Sequence, residues 1–359
     1  NAEPVNLGAA MNPSGAPESA ATFNVLFRCD GGPTIGMGHV ARCLAVAEEL
    51  GRNHLCRVEF AVAGQPVAVE MVGAAGYHVH HAPRLALAAD EATWLEAVVA
   101  QCRAQTVVVD GRDGLSLDCL RVFRRSGVSI VLLDDSSERR LAADLAFYPP
   151  MPQLERLDWQ GFVGKRFVGW PWVALRRQFS GRRRDVAQGP PRVLLNAGGA
   201  DPAGITFQLV DALELLEGEV EPVLVLGPAF QQSRELRRRL RGARHAYRIL
   251  SDVKDMAGVM AGSHLAVVSF GMIAYELAAI GVPALYLALS ADHAESASAF
   301  QEAGMGVSLG VHRRVAPAQI AAATRQLLAD PERCAAMSIS GRALIDGRGA
   351  QRIAEQIVS

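Results

Sequence analysis

Residues 32–43 read GPTIGMGHVARC. They join NVLFR (24–28), a β-branched and apolar run, to VARCLAVAEEL (40–50), whose apolar residues recur at helical spacing. Strand, glycine turn and helix in that order predict the first unit of a doubly wound α/β sheet. Such turns commonly cradle phosphate, and this one also carries a histidine. Two nucleotide-loop readings are weak. Gly36 and Gly38 fit the first two positions of a dinucleotide fingerprint, but Ala41, not glycine, holds the third position and the bulky Arg42 follows it. No Gly-Lys-Ser/Thr follows for a Walker loop. A third reading places His39 in the first helical turn. There the outward-pointing amide groups favour a neutral imidazole, the form a general base requires. The alternative is a histidine that caps or packs locally.

The same alternation extends along the chain. VEFAVA, TVVVD (ending at Asp110) and SIVLLDD (ending at Asp135) read as strands, with helices predicted at about 39–50 and 67–75. From Arg176 to Pro191 the chain reads RRQFSGRRRDVAQGPP, polar, basic and rich in glycine and proline. This is a linker by composition. The alternation then restarts with RVLLNA, PVLVLG, AYRIL, LAVVS and ALYLA. At 359 residues the chain suits two domains of about 100–200 residues each. The predicted division is a tail at 1–22, an N-terminal α/β domain at 23–176, a linker at 177–190, a C-terminal α/β domain at 191–345 and a final helix within 346–359 that returns to the first domain.

Composition excludes several classes. A net charge of −1 gives no global attraction to nucleic acid or an anionic membrane. The six cysteines form no C-x-x-C pair, so reduced, buried thiols are expected. No apolar run reaches membrane-spanning length. Residues 1–22 lack the charged start and apolar core of a signal peptide and read as a disordered tail, so a cytoplasmic location is expected. YHVHH (77–81) has three histidines, but strand alternation separates His80 from His81, and no metal site is expected. Asp134 and Asp135 read as the end of a strand that could reach a cleft, or as loop caps. RELRRRLRG (234–242) reads as a solvated basic helix face.

Five motifs in order, across about residues 23–310, resemble one family. FRCDGGPTIGMGHVARCL has the Arg-x-Asp strand end and the Ile-Gly-x-Gly-His-x-x-Arg-Cys-Leu turn of the UDP-2,4-diacetamido-2,4,6-trideoxy-β-L-altropyranose hydrolases of pseudaminic acid biosynthesis and their spore-coat-polysaccharide relatives. VVVDGRDGLS, VLLDDSSERRLAADL, FVGWPWVALRRQF and LLNAGGADPAGIT resemble the later motifs. The resemblance implies a GT-B fold, two Rossmann-like domains facing a cleft, and a metal-independent UDP-sugar site with no cofactor. It implies hydrolysis at the anomeric carbon, with His39 catalytic. By the same correspondence Arg28, Asp30, Gly36, Gly38, Arg42, Gly198, Gly199, Asp201, Gly271 and Glu276 are expected to bind substrate, Glu276 at the ribose hydroxyls. The partners implied are a UDP-sugar and other sugar-biosynthesis enzymes, with no nucleic acid and no membrane.

Two stretches depart from the pattern. Gly271-Met272-Ile273 replaces a Gly-Ser-Thr turn, losing hydroxyls that could bond a diphosphate. Asp292-His293 stands in place of Asn-Gln. Asp292 would repel a diphosphate unless paired or turned away, or would serve as a helix cap. His293 could bond a sugar hydroxyl or act as a second acid or base, or sit on the surface. Besides the hydrolase, a GT-B glycosyltransferase and a non-catalytic sugar-nucleotide-binding protein therefore remain open.

Overall fold

The computed structural model describes residues 23–32, 35–63, 65–82, 88–111 and 114–359. The tail expected at 1–22 lies outside the described residues. The chain forms two all-parallel sheets. The first has seven strands: β1 (Asn24–Cys29), β2 (Arg57–Ala63), β3 (His78–Ala82), β4 (Thr106–Asp110), β5 (Ser129–Leu133), β6 (Leu145–Tyr148) and β7 (Lys165–Val168). Their spatial order is β3-β2-β1-β4-β5-β6-β7. The second has β8 (Arg192–Asn196), β9 (Glu221–Leu226), β10 (Arg248–Ser251), β11 (Leu265–Ser269), β12 (Ala284–Ala288) and β13 (Val307–Val311), in the order β10-β9-β8-β11-β12-β13. This is the doubly wound α/β architecture that the strand–helix alternation predicts.

Parallel sheets are covered on both faces, so their central strands are apolar throughout. In the first sheet Val25, Phe27, Val108 and Val131 pack on one face. Leu26, Val107, Val109 and Ile130 pack on the other. Each sheet reverses its winding beside its first strand: between β1 and β4, and between β8 and β11. Ligands of open α/β sheets bind at such switch points, outside the carboxyl ends of the strands. Here both switch points open on one shared cavity of about 1280 Å³.

Several boundaries differ from the sequence reading. Helix α1 runs Gly38–His54, past the expected Leu50, and stops where Leu55 turns left-handed. The strand expected to end at Asp135 ends at Leu133, because Asp134 adopts φ 57° and leaves the sheet. Strands β6, β7 and β13 were not anticipated. The stretch expected as a linker begins with a short 3₁₀ turn, Arg177–Phe179, whose Phe179 enters the second core. Asp185 N–H then donates to Ala261 O at 2.8 Å. All six cysteines are free thiols. No helix among the described residues is long and apolar enough to cross a membrane.

The last helix of the chain, α12 (Gly349–Val358), lies against α1 rather than on the second sheet. Ala350, Ile353, Ala354 and Ile357 join Val40, Cys43 and Ala47 of α1 in one cluster. Gly349 opens the helix at a tight crossing with the segment after β7, where a Cβ would overlap the Val173 carbonyl oxygen. We expect Gly349→Ala to cost about 1–3 kcal/mol, the usual range for overpacking. Urea unfolding of the variant against wild type measures this, and an unchanged midpoint would show that the crossing yields.

Candidate active site between the two sheets

The turn after β1 is closed by two bonds, Gly32 N–H to Gly36 O at 3.0 Å and Gly36 N–H to Gly32 O at 2.8 Å. Gly36 needs φ +79°, which a side chain disfavours. The turn delivers His39 to the first turn of α1, on the cavity wall. His39 Nδ1 lies 2.6 Å from Asp110 Oδ1, at the end of the neighbouring strand β4. Asp110 is 1% exposed. Arg42, one turn along α1, grips the same carboxylate with Nε to Oδ2 at 2.6 Å and Nη2 to Oδ1 at 2.7 Å, and gives Nη1 to Asp134 Oδ2 at 2.6 Å. Burial pushes the Asp110 carboxyl up, but Arg42 and His39 outweigh it and hold it at about 2. With Asp110 ionised, a neutral His39 donates from Nδ1, and its lone pair lies on Nε2.

The second sheet faces this pair. Gly198 (φ +87°), Gly199, Gly271, Glu276, Asp292 and His293 all line the cavity. The glycine turns approach the His39 loop closely: a Cβ on Gly199 would stand 3.5 Å from Met37 N. A Cβ on Gly38 would lie 3.4 Å from Met272 Cγ. Met272, which stands where the resembling family has a hydroxyl residue, is thus an apolar contact between the two halves. It begins α8 (Met272–Ile280), whose cap Gly271 supplies no side-chain bond to the first-turn amides. The N-terminus of α1 likewise has no side-chain cap. Both therefore present partial positive charge to the cavity.

Other expected ligands are engaged within the protein. Arg28 and Asp30 lie outside the cavity lining. Arg28 bonds Glu91 Oε1 from Nε at 2.8 Å and Asp30 Oδ2 from Nη2 at 2.7 Å. Asp30 also receives Ala63 N–H at 2.9 Å. These bonds tie the end of β1 to its neighbours. Arg42 lines the cavity, but its guanidinium is committed to two carboxylates. Asp201 lines the cavity too, yet both its oxygens cap α5 (Ile205–Leu213), accepting from Ile205 N–H and Thr206 N–H at 2.8 Å each. The N-terminus of α5 is thus occupied by the chain's own carboxylate.

Glu276 reaches the cavity from the second turn of α8 and accepts a bond from Arg176 Nη2 at 3.2 Å. Burial raises its carboxyl above the usual range despite Arg176. Asp292 sits in the first turn of α9 (Ala291–Glu302), where its charge suits the helix end. It is not the cap: Ser290 Oγ is, accepting from His293 N–H at 3.2 Å. Gln153 Nε2 crosses to the Asp292 carbonyl at 2.9 Å, and Arg156 pairs with Glu295 through two bonds of 2.5 and 2.8 Å. These contacts join the two halves along one rim of the cavity. Asp110 and Arg176 carried no role of their own in the sequence reading. The signal for Asp110 was its place at a strand end, which acquires meaning only once β4 is known to adjoin β1.

Two doubly wound halves with a shared cavity at their switch points define a GT-B fold, and solved structures of that type match it over nearly the whole chain. MurG of Acinetobacter baumannii superposes with a TM-score of 0.69 at 16% identity, covering 94% of this chain and 99% of that one. A UDP-GlcNAc 2-epimerase from Neisseria meningitidis, bound to UDP-GlcNAc, gives 0.63 at 14% identity over 94% and 100%. In sequence, the spore coat polysaccharide biosynthesis protein SpsG of Bacillus subtilis is 25% identical over 191 residues, 52% of this chain and 56% of that protein. The chain spans about half the length of the curated relatives it matches, 56% and 54%. No protein-family model matches the chain.

Proposed function

We propose that the protein is a nucleotide-sugar hydrolase of surface-glycan biosynthesis, releasing UDP and a free amino or deoxy sugar. The observation that carries this reading is the His39–Asp110 pair, set at the cavity wall opposite the uncapped N-terminus of α8. His39 Nε2 takes a proton from water as the water oxygen attacks the anomeric carbon. The bond from that carbon to the diphosphate oxygen breaks, its electron pair leaves with UDP, and the new hydroxyl stays on the sugar. Amide groups at the start of α8 stabilise the charge gathering on the leaving diphosphate. Asp110 holds the ring through Nδ1, and Arg42 is a positioning residue that holds Asp110. The nearby UDP-GlcNAc-bound fold relative and the likeness to SpsG support a sugar nucleotide as the ligand.

A glycosyltransferase is the second reading. The cavity of about 1280 Å³ exceeds the ~300–1,000 Å³ usual for one small ligand. It has room for an acceptor whose hydroxyl His39 would deprotonate instead of water. UDP release from a panel of UDP-sugars, including 2,4-diacetamido-trideoxy sugars, separates the two. Release with water alone supports the hydrolase. Release only when an acceptor is added supports the transferase. Saturable UDP binding with no release under either condition would leave a binding protein.

Glu276 gives a separate test of the nucleotide side. A buried carboxylate bonding a ribose diol contributes about 1.5–3 kcal/mol as a charged hydrogen bond. Glu276→Gln is therefore expected to raise KM by about 10- to 100-fold with kcat nearly unchanged. An unchanged KM would remove the ribose from Glu276.

A further inference from the structure

A second cluster of chemically capable side chains lies away from the cavity, on the edge of the first sheet. The alternation that parts His80 from His81 puts His78 and His80 on one face of β3. Parallel pairing sets Glu59 of β2 opposite His78, so all three residues share that face. Glu59 Oε2 lies 2.6 Å from His80 Nε2. The rings of His78 and His80 meet edge to face with centroids 4.6 Å apart. One ligand atom from each of the three lies within 4.8 Å of the other two.

We propose that Glu59, His78 and His80 form a binding site for a borderline divalent metal ion, with Zn²⁺ as the best match. Two imidazoles and one carboxylate are a common zinc donor set, with bonds of about 2.0–2.2 Å. Ligand atoms around a tetrahedral ion of that size sit roughly 3.3 Å apart. The Glu59–His80 hydrogen bond therefore opens by less than about 1 Å on loading, and the exposed His78 ring swings inward. No backbone movement is required. Glu59 and His80 are already fixed, their side chains 7% and 8% exposed. The other oxygen of Glu59, Oε1, accepts from Arg57 Nε at 2.9 Å. Arg57 thus supplies the outer bond that commonly orients a ligating carboxylate, leaving Oε2 for the ion. His78 is exposed on the outermost strand, which provides the entry path.

None of the three residues lines the cavity. The site is therefore distinct from the His39 pair, and its existence does not depend on the reading of that pair. Its role follows from its place: the ion ties the edge strand β3 to β2, fixing a strand that has one neighbour among the described residues.

The test uses untagged full-length protein, stripped with a chelator and titrated with Zn²⁺ in a calorimeter, with melting followed in parallel. Wild type is expected to bind one Zn²⁺ per chain and to melt several degrees higher when saturated. His81→Ala should behave the same. His78→Ala and His80→Ala should each weaken binding at least 10-fold and lose the thermal shift. Because His80→Ala also leaves buried Glu59 without its partner, the exposed His78→Ala decides the outcome, with circular dichroism confirming its fold. Absence of saturable binding in wild type, or binding unchanged in His78→Ala, overturns the proposal.

Discussion

Replacing His39 with alanine is expected to lower UDP release by about 10²- to 10⁴-fold, the range for loss of a general base. UDP binding should stay within about a factor of two, because the ring faces the reacting end of the ligand. The fold should survive the change. Asp110 keeps both Arg42 bonds, at 2.6 and 2.7 Å, so no buried charge is stranded when the imidazole goes. This separates the chemical step from binding and from stability in one variant. Steady-state UDP release beside calorimetric UDP affinity makes the measurement. Turnover near wild type in a folded His39→Ala protein would remove His39 from the reaction. It would leave the Gly36–Gly38 turn as a binding loop only.

Asp110→Asn is expected to act on stability as well as on turnover. Arg42 would face one carboxylate instead of two in a buried setting. Breaking a buried ion pair from one side typically costs about 3–5 kcal/mol. The residual pair with Asp134 places the expected loss at the lower end of that range. Turnover should fall as well, since an amide has one accepting oxygen and no charge, and so cannot hold the His39 ring while also accepting both Arg42 bonds. The wild-type protein carries a matching acid signature. Asp110 titrates at about 2 against an ordinary 3.8, so the folded state favours its charged form. The resulting stabilisation, about 2 kcal/mol, is full above pH 3.8 and is lost as pH falls through 2. Urea midpoints at neutral pH and across this acid window read both effects. Asp110→Asn should lack the Asp110 part of the acid slope. Equal midpoints for the two proteins at neutral pH would show that Asp110 does not support Arg42.

The strand, turn and helix around Gly36–His39 were legible in the sequence because each depends on neighbours a few residues away. So were the restart of alternation near Arg192 and the buried central strands, whose apolar runs need no partner to be recognised. The strands that escaped are short or flank the sheets. LAFY has four residues, KRFV is half polar, and VSLGV is half-buried throughout. The site divides on the same line. His39 could be read from its loop, but its partner Asp110 is 71 residues away and becomes adjacent only through strand order. Arg28, Arg42 and Asp201 were visible as chemistry but not as direction. Their charges turn inward, to Glu91, to Asp110 and Asp134, and to the amides of α5. Whether a polar side chain faces a ligand or its own scaffold is a matter of distant packing, which residue type and spacing do not encode.

The return of α12 to α1 has a mechanical consequence. The polypeptide passes between the halves twice, once through 177–190 and once ahead of Gly349. Two covalent tethers define a line, as a pair of hinges defines the swing of a door. Any motion about that line would open the mouth of the cavity while resisting twist and sideways slip. His39 and the start of α8 would then separate and meet again in one alignment. The last helix, Gly349–Val358, would thus serve as the second hinge leaf, fastened to the back of the helix that carries His39.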